Sequence, residues 1–300
     1  MGGDDHLPSA RPPQRSQAGL RAPGDTEGRP FYQASVEPGS EELGEGLATR
    51  LGGILYLINL LDYLELPDCF EPGWGLASRL GGWALLEALA RALLEQRPQD
   101  CQADPIWRAL AQLDGRKEGS LPGWNFQGGD GYRIPESWFQ GIIPQNLPWH
   151  WAADPGRLRV WSALGFILAD VPRGRLPAQR QARQELGRYT DTALLLPADP
   201  RDAPLATLAP ELVGPLNRDL GRWLALACPY LGWRLDQTLE TDRHARGEWL
   251  RVPGWLYVTP THVDLVTSLE AISLPVRLAG LDRNPGWVGR LGRVVSFHFR

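Results

Sequence analysis

The sequence TRLGGILYLINLL, residues 49–61, marks the point at which a folded domain begins. Leu51, Ile54, Leu55 and Ile58 recur at the spacing of one helix face, which predicts an amphipathic helix. The apolar run is about half of the roughly 20 residues that a membrane-crossing helix needs. We therefore interpret it as a buried helix of the core.

A second helix is predicted downstream, because the ATRLGG of residues 48–53 is nearly repeated as ASRLGG at residues 77–82. Two copies are too few for a stacked repeat array, which needs about three or more units. We interpret them as two similar helix entries, whose paired glycines allow a close approach to neighbouring elements.

Local signals predict further helices. Asp104 as a cap and Pro105 in the first turn predict a short helix that ends at Gly115. The pattern of residues 211–239 is also helical, and we expect two pieces because Pro229 interrupts the apolar run.

The end of the chain changes to strand patterns. Runs of β-branched and aromatic residues predict strands at residues 255–259, 263–267, 275–278 and 294–299. We expect these strands to form a small antiparallel sheet.

The fold class predicted from these elements is α+β, with an N-terminal helical subdomain packed against the small C-terminal antiparallel sheet. Residues 1–45 are rich in Pro, Gly, Ser, Glu and Arg, and we expect a disordered tail there. Residues 46–300 are predicted to form a single domain. It comprises a helical part (46–120), an aromatic loop (121–156) and a mixed, strand-rich part (157–300).

Charge and cysteine content exclude several classes of protein. The net charge is -4 and no tract of like charge occurs, so a nucleic-acid partner is not expected. The three cysteines are odd in number and lack a CxxC pair, which favours a reducing compartment. Because the first residues lack the apolar core of a signal peptide, we expect a cytoplasmic protein with no direct membrane span.

The tryptophan content is the most unusual feature of the composition, with thirteen tryptophans and one methionine. Large rigid rings fill cores and interfaces at low entropy cost. The candidate interaction surface comprises Trp124, Trp138, Trp149, Trp151 and Trp287. The alternative is that these rings pin a long loop to the helical part, with their ring nitrogens bonded to backbone carbonyls.

Catalytic and metal-binding motifs are weak in this sequence. Asp130 and Glu136 lie among aromatic residues, as the acid and base of a carbohydrate-active protein would. His262 and Asp264 would share one face of a strand, and His298 on the last strand could join them around a metal. Polar positions of an ordinary sheet explain that trio equally, and we assign no catalytic residue, cofactor or metal site. Enzyme activity is not the favoured interpretation.

Two parts of the chain resemble a known group of proteins. They are residues 49–61 and a C-terminal run that includes THVD (261–264), AGLDRNPGW (279–287) and FHF (297–299). These stretches are similar to accessory proteins encoded with bacterial contractile injection systems, which are phage-tail-like particles. Some proteins of that group are labelled tape-measure proteins.

This resemblance implies a noncatalytic structural or assembly component. Its partners would be baseplate, tube or sheath subunits, and the assembled particle would be released or docked at a membrane through other subunits. A tape-measure rod requires long uninterrupted helix, whereas this chain holds 27 prolines and 34 glycines. We therefore expect a compact accessory protein.

Overall fold

A computed structural model gives the fold of nine segments of the chain. The described residues are 45–64, 80–94, 99–123, 126–139, 147–190, 194–208, 212, 218–240 and 247–300. All of them belong to one unit, Ser40–Arg300. The tail predicted for residues 1–45 lies, apart from Glu45, outside the described residues, and so does Trp124.

Helices and strands both occur in the described residues, so the fold class is α+β. The α-helices are α1 (Leu57–Tyr63), α2 (Gly82–Leu93), α3 (Gln99–Gln102), α4 (Ile106–Leu113), α5 (Ala178–Leu186), α6 (Arg218–Leu239) and α7 (Leu274–Leu278). The strands are β1 (Leu47–Thr49), β2 (Tyr132–Arg133), β3 (Trp149–Ala153), β4 (Arg157–Ser162), β5 (Phe166–Pro172), β6 (Leu195–Pro197), β7 (Gly254–Val258), β8 (His262–Thr267), β9 (Gly286–Val288) and β10 (Arg293–Phe299).

The C-terminal sheet contains five described strands in the order β1-β7-β8-β10-β9. The prediction of an antiparallel sheet is wrong at its centre, because β10 runs parallel to β8. A parallel pair needs a long crossover rather than a hairpin, and the segment that includes α7 provides it. The sheet also recruits β1 from the other end of the folded unit, in antiparallel pairing with β7.

The strand predicted at residues 275–278 is instead α7. Pro275 lies in its first turn, where the missing backbone N–H costs nothing. Val276 is buried, while Leu274 and Leu278 are exposed. The apolar run at residues 275–278 is too short for its periodicity to distinguish one helical turn from a strand.

A second, central sheet has the described order β2-β5-β4-β3-β6. Two of its strands, β2 and β3, lie in the segment that was predicted to be an aromatic loop, residues 121–156. Trp149 and Ala152 of β3 are both buried, so the strand has no alternation of apolar and polar positions. That absence of a period-2 pattern hid the strand from sequence-based prediction.

The helix α6 passes through Pro229 without a break, so the prediction of two helical pieces is wrong. A proline in a helix leaves the carbonyl four residues earlier without its N–H partner. Here that carbonyl belongs to Ala225, and it accepts the N–H of Ala206 at 2.9 Å. The N–H of a neighbouring segment therefore replaces the hydrogen-bond donor that the proline lacks.

The paired glycines allow the close approach that the sequence predicts. A Cβ atom on Gly53 would lie 2.2 Å from the carbonyl oxygen of Trp249, and one on Gly52 would lie 2.8 Å from Leu265 Cδ1. In the second copy, a Cβ atom on Gly82 would lie 2.7 Å from Leu291 Cδ2. Both helix entries thus pack directly onto the C-terminal part of the chain.

Candidate functional site

The C-terminal sheet has one face in the core. Leu256, Leu265 and Phe297 are paired side by side across β7, β8 and β10, and all three are almost fully buried. Tyr56, which precedes α1, meets Phe297 edge to face with ring centroids 5.0 Å apart. This inner face packs on the first helical segment.

The opposite face of the same sheet carries two exposed tryptophans. Trp255 pairs with Val266, and Val266 pairs with His298, so their side chains share this face. Trp287 reaches it through its pairing with Val294. Trp255 is 51% exposed and Trp287 is 66% exposed. We call this side of the sheet the outer face and define it by Trp255, Tyr257, His262, Asp264, Val266, Trp287, Val294, Ser296 and His298. Asp264 and Val266, on the strand β8, are the buried members of this set.

A polar pair lies between the two tryptophans. His298 Nε2 is 3.0 Å from Asp264 Oδ1, so two of the three residues considered as metal ligands do meet. His262 is exposed, and its Nδ1 lies 2.8 Å from the hydroxyl of Thr261. Within the described segments, no group of three or more His, Cys, Asp or Glu residues is arranged to hold a metal ion.

A pocket of about 320 Å³ opens beside Trp287, between α1 and the β9–β10 turn. Its lining residues are Ile58, Asp62, Pro285, Trp287, Val288, Gly289 and Arg290. Partial burial lowers the pKa of the Arg290 guanidinium, and attraction by Asp62 opposes that shift. The pocket therefore combines apolar surface with one acidic and one basic group.

The two stretches that carry the family resemblance meet at this pocket. Asn59 of residues 49–61 donates through Nδ2 to the carbonyl of Leu281 at 2.7 Å and to that of Arg283 at 2.8 Å. These acceptors belong to residues 279–287, which also supply Trp287. Hydrogen bonds from α1 thus fix the turn that presents the exposed ring.

The turn before β10 is held from inside at two further points. Asn284 Oδ1 accepts the N–H of Phe297, and Trp83 Nε1 donates to the carbonyl of Leu291 at 3.1 Å. These bonds use backbone groups and leave the Trp287 ring in solvent. Turn chemistry explains the AGLDRNPG sequence, but it does not explain the exposed tryptophan that follows.

The other tryptophans of the predicted interaction surface lie elsewhere. Trp138 and Trp149 are buried, and Trp151 is partly buried. Trp138 Nε1 donates to the carbonyl of Leu64 at 2.9 Å, and its ring stacks on Tyr230 at 5.1 Å. For Trp138 the packing alternative is confirmed, since its ring nitrogen pins the segment to the end of α1.

Asp130 and Glu136, the carboxylates of the carbohydrate hypothesis, are both exposed, and neither lines the pocket beside Trp287. The backbone carbonyl of Asp130 accepts Arg157 Nη1 at 2.7 Å.

Sequence-based reasoning missed Trp255. The strand itself was predicted, and alternation separates Trp255 and Tyr257 from Leu256. Because both sets are apolar or aromatic, the pattern does not tell which of them faces the core.

No described helix combines the length and the apolar character needed to cross a membrane. Comparison with known proteins gives no relative: no protein-family model matches the chain, and neither does any curated protein or solved structure.

Proposed function

We propose that the protein is a noncatalytic structural or assembly component of a phage-tail-like contractile injection system, which binds another subunit through the outer face. One observation carries this proposal. Trp255 and Trp287 are both more than half exposed on one face of a sheet whose other face is core. Tryptophan gains more than most residues from burial, and exposed rings are enriched among the residues that dominate binding energy in protein interfaces.

The resemblance of residues 49–61 and 279–287 supports the choice of particle. Those residues meet at the pocket beside Trp287, so the similarity and the exposed aromatic surface coincide. The partners we propose are baseplate, tube or sheath subunits.

The fold supports a compact component rather than a measuring rod. The longest helix of the described segments is α6, with 22 residues. At about 1.5 Å of rise per residue it spans roughly 33 Å. A longest described helix of this length suits a component with a fixed position in an assembly better than a rod that measures a tail.

Co-purification from particle-producing cells tests the proposal. Tagged wild-type protein is expected to recover sheath, tube or baseplate subunits, and the W255A/W287A double variant is expected to lose most of that recovery. The matched control is L194A/L205A, which removes two other exposed apolar side chains, 61% and 43% exposed, outside the C-terminal sheet. Equal recovery by the double variant, or recovery of no particle subunit by wild type, would contradict the proposal.

Cross-linking identifies the contacting subunit. Lys117 is the single lysine of the chain, so amine-reactive reagents report poorly on the outer face. A photoreactive phenylalanine analogue at Tyr257, which lies two residues from Trp255 on the same face of β7, is expected to label one particle subunit. The same analogue at Leu194 serves as the control. If the protein instead stays monomeric and binds glycans through these rings, the carbohydrate alternative replaces the assembly role.

A further inference from the structure

The last part of the chain differs in charge from the whole. Residues 277–300 hold five arginines and one aspartate, a net charge of +4, whereas the complete chain carries -4. The arginines are Arg277, Arg283, Arg290, Arg293 and Arg300, and the acid is Asp282. The segment that forms β9, β10 and their turn is therefore a basic region of an acidic protein.

Part of this charge is used within the fold. Arg277 lies 3.7 Å from Asp282, and Arg293 donates to the carbonyl of Thr259. Arg283 and Arg290 are exposed on the two sides of β9 in the sequence, and Arg290 lines the pocket beside Trp287. Asp62 attracts Arg290 in that pocket, so the exposed Arg283 of the same turn supplies the excess positive charge there.

The pocket itself favours one apolar side chain. Ile58, Pro285 and Val288 contribute apolar lining, and the Trp287 ring stands beside them. A volume of about 320 Å³ lies at the lower end of the range for ligand pockets. That space suits a single large side chain inserted from a partner better than it suits a whole cofactor.

From this arrangement we infer that the Trp287 end of the outer face binds an acidic segment of a partner protein, which places one apolar side chain in the pocket. Arg290 in the pocket lining and the exposed Arg283 of the same turn would attract the acidic residues, and the buried anchor would supply the contact area. This inference rests on the proposed function and specifies its partner chemistry.

Nucleic acid and anionic membrane also carry negative charge. A phosphate group in the pocket would meet the carboxylate of Asp62, and it would leave the apolar lining from Ile58, Pro285 and Val288 without an apolar partner. A protein segment can supply both acidic side chains for the arginines and an apolar side chain for the pocket.

Peptide titration tests the inference directly. The probe is a synthetic glutamate-rich 12-residue peptide with one central phenylalanine, added to full-length protein labelled with 5-fluorotryptophan and observed by 19F NMR. The W287F variant assigns the Trp287 resonance among the thirteen tryptophans. We expect this resonance to shift on titration, and the affinity to fall as salt is raised.

Two changes test separately the contribution of the arginines and that of the apolar pocket to peptide binding. The R283E/R290E variant and a peptide with alanine in place of phenylalanine are each expected to weaken binding about tenfold or more. The matched control is R175E/R180E, which makes the same charge change at two exposed arginines outside the C-terminal sheet. The remaining fluorotryptophan resonances report whether each variant keeps its fold.

Several results would overturn the inference. They are an unshifted Trp287 resonance, equal or tighter binding of the lysine-rich counterpart peptide, and unchanged affinity in R283E/R290E. Tighter binding of a short DNA duplex or of phosphatidylglycerol vesicles at the same salt would assign the surface to another class of partner. Peptide binding without co-purifying particle subunits would refute only the proposed function, whereas co-purification without peptide binding would refute only this inference.

Discussion

The two sheets place the same type of side chain in opposite environments. Trp149 of the central sheet is 2% exposed, whereas Trp255 and Trp287 of the C-terminal sheet are 51% and 66% exposed. The difference follows from what covers each strand. In β5 of the central sheet six consecutive residues are buried, so both faces are covered. In the C-terminal sheet the strand β8 is likewise buried from Val263 to Thr267, whereas β7 and β9, which carry Trp255 and Trp287, hold exposed residues. The strand that carries the residue, rather than residue type, separates the buried tryptophan from the two exposed ones.

The largest loss of stability is expected when the buried tryptophan, Trp149, is replaced. Trp149 meets Phe166 edge to face at 6.1 Å in the core. W149A leaves a large cavity, and we expect the free energy of unfolding to fall by about 3–5 kcal/mol. Urea unfolding monitored by circular dichroism measures the change.

The matched change on the exposed side is W287A. Its ring is mostly in solvent, so we expect a change within about 0.5 kcal/mol. Similar losses in W149A and W287A would show that the outer face is part of the folding core, which would remove the basis of the proposed function.

These two tryptophans also show what the sequence could and could not predict. Periodicity located α1, α2 and the strands around Trp255. Within residues 49–61 it did not separate the end of β1 at Thr49 or the 3-10 helix Gly52–Tyr56 from the α-helix Leu57–Tyr63. Around Trp149 apolar residues fall on both faces, and the strand pattern disappears. The parallel pairing of β8 with β10 depends on a crossover between distant parts of the chain, which no local pattern encodes.

The second prediction isolates one hydrogen bond of the buried set. Trp138 Nε1 donates to the Leu64 carbonyl at 2.9 Å, whereas the described residues supply no acceptor for the buried Nε1 of Trp151. W138F and W151F remove the same atoms, and W138F alone also loses a hydrogen bond and a fully buried, stacked part of the ring. We expect W138F to lose about 1–3 kcal/mol more of the unfolding free energy than W151F. Equal losses in thermal or urea unfolding would assign the role of Trp138 to ring packing alone.

The candidate site was only partly predictable, for a related reason. Trp287 was singled out beside a turn, and the structure places it in solvent. Its neighbours Ile58 and Asp62 lie more than two hundred residues away in sequence, and only the fold brings them to the same pocket. Hydrogen bonds from Asn59 make that connection, and an asparagine on a helix face gives no sign of its distant acceptors.

The third prediction concerns Tyr56 on the inner side of the C-terminal sheet. Its hydroxyl is buried, and the described residues supply no hydrogen-bond partner for it. Burial raises the pKa of Tyr56 above its ordinary value, and repulsion by Asp282 adds to the shift. Y56F keeps the edge contact with Phe297 and removes the unpaired group, so we expect it to gain about 1 kcal/mol at pH 8.

The same shift gives a pH dependence with a defined sign. A folded-state pKa above the unfolded value of about 10 means that the folded protein retains a proton which the unfolded chain releases. The contribution of Tyr56 to the free energy of unfolding is therefore fully present below pH 10, and it is lost as the pH rises above that value. Y56F lacks this contribution, and unfolding at pH 8 and 10.5 should show a smaller loss than in wild type. A parallel decline in both proteins would contradict the assignment to Tyr56.

A small effect is also expected at the polar pair of the outer face. His298 and Asp264 are 3.0 Å apart, with side chains 31% and 12% exposed, so water partly screens their attraction. H298Q keeps a polar side chain at the same position, and we expect a change below about 1 kcal/mol in urea unfolding. A loss as large as that of W149A would make the pair a structural core element. A small loss, with weakened recovery of the partner subunit, would instead place it beside Trp255 and Trp287 in the binding surface.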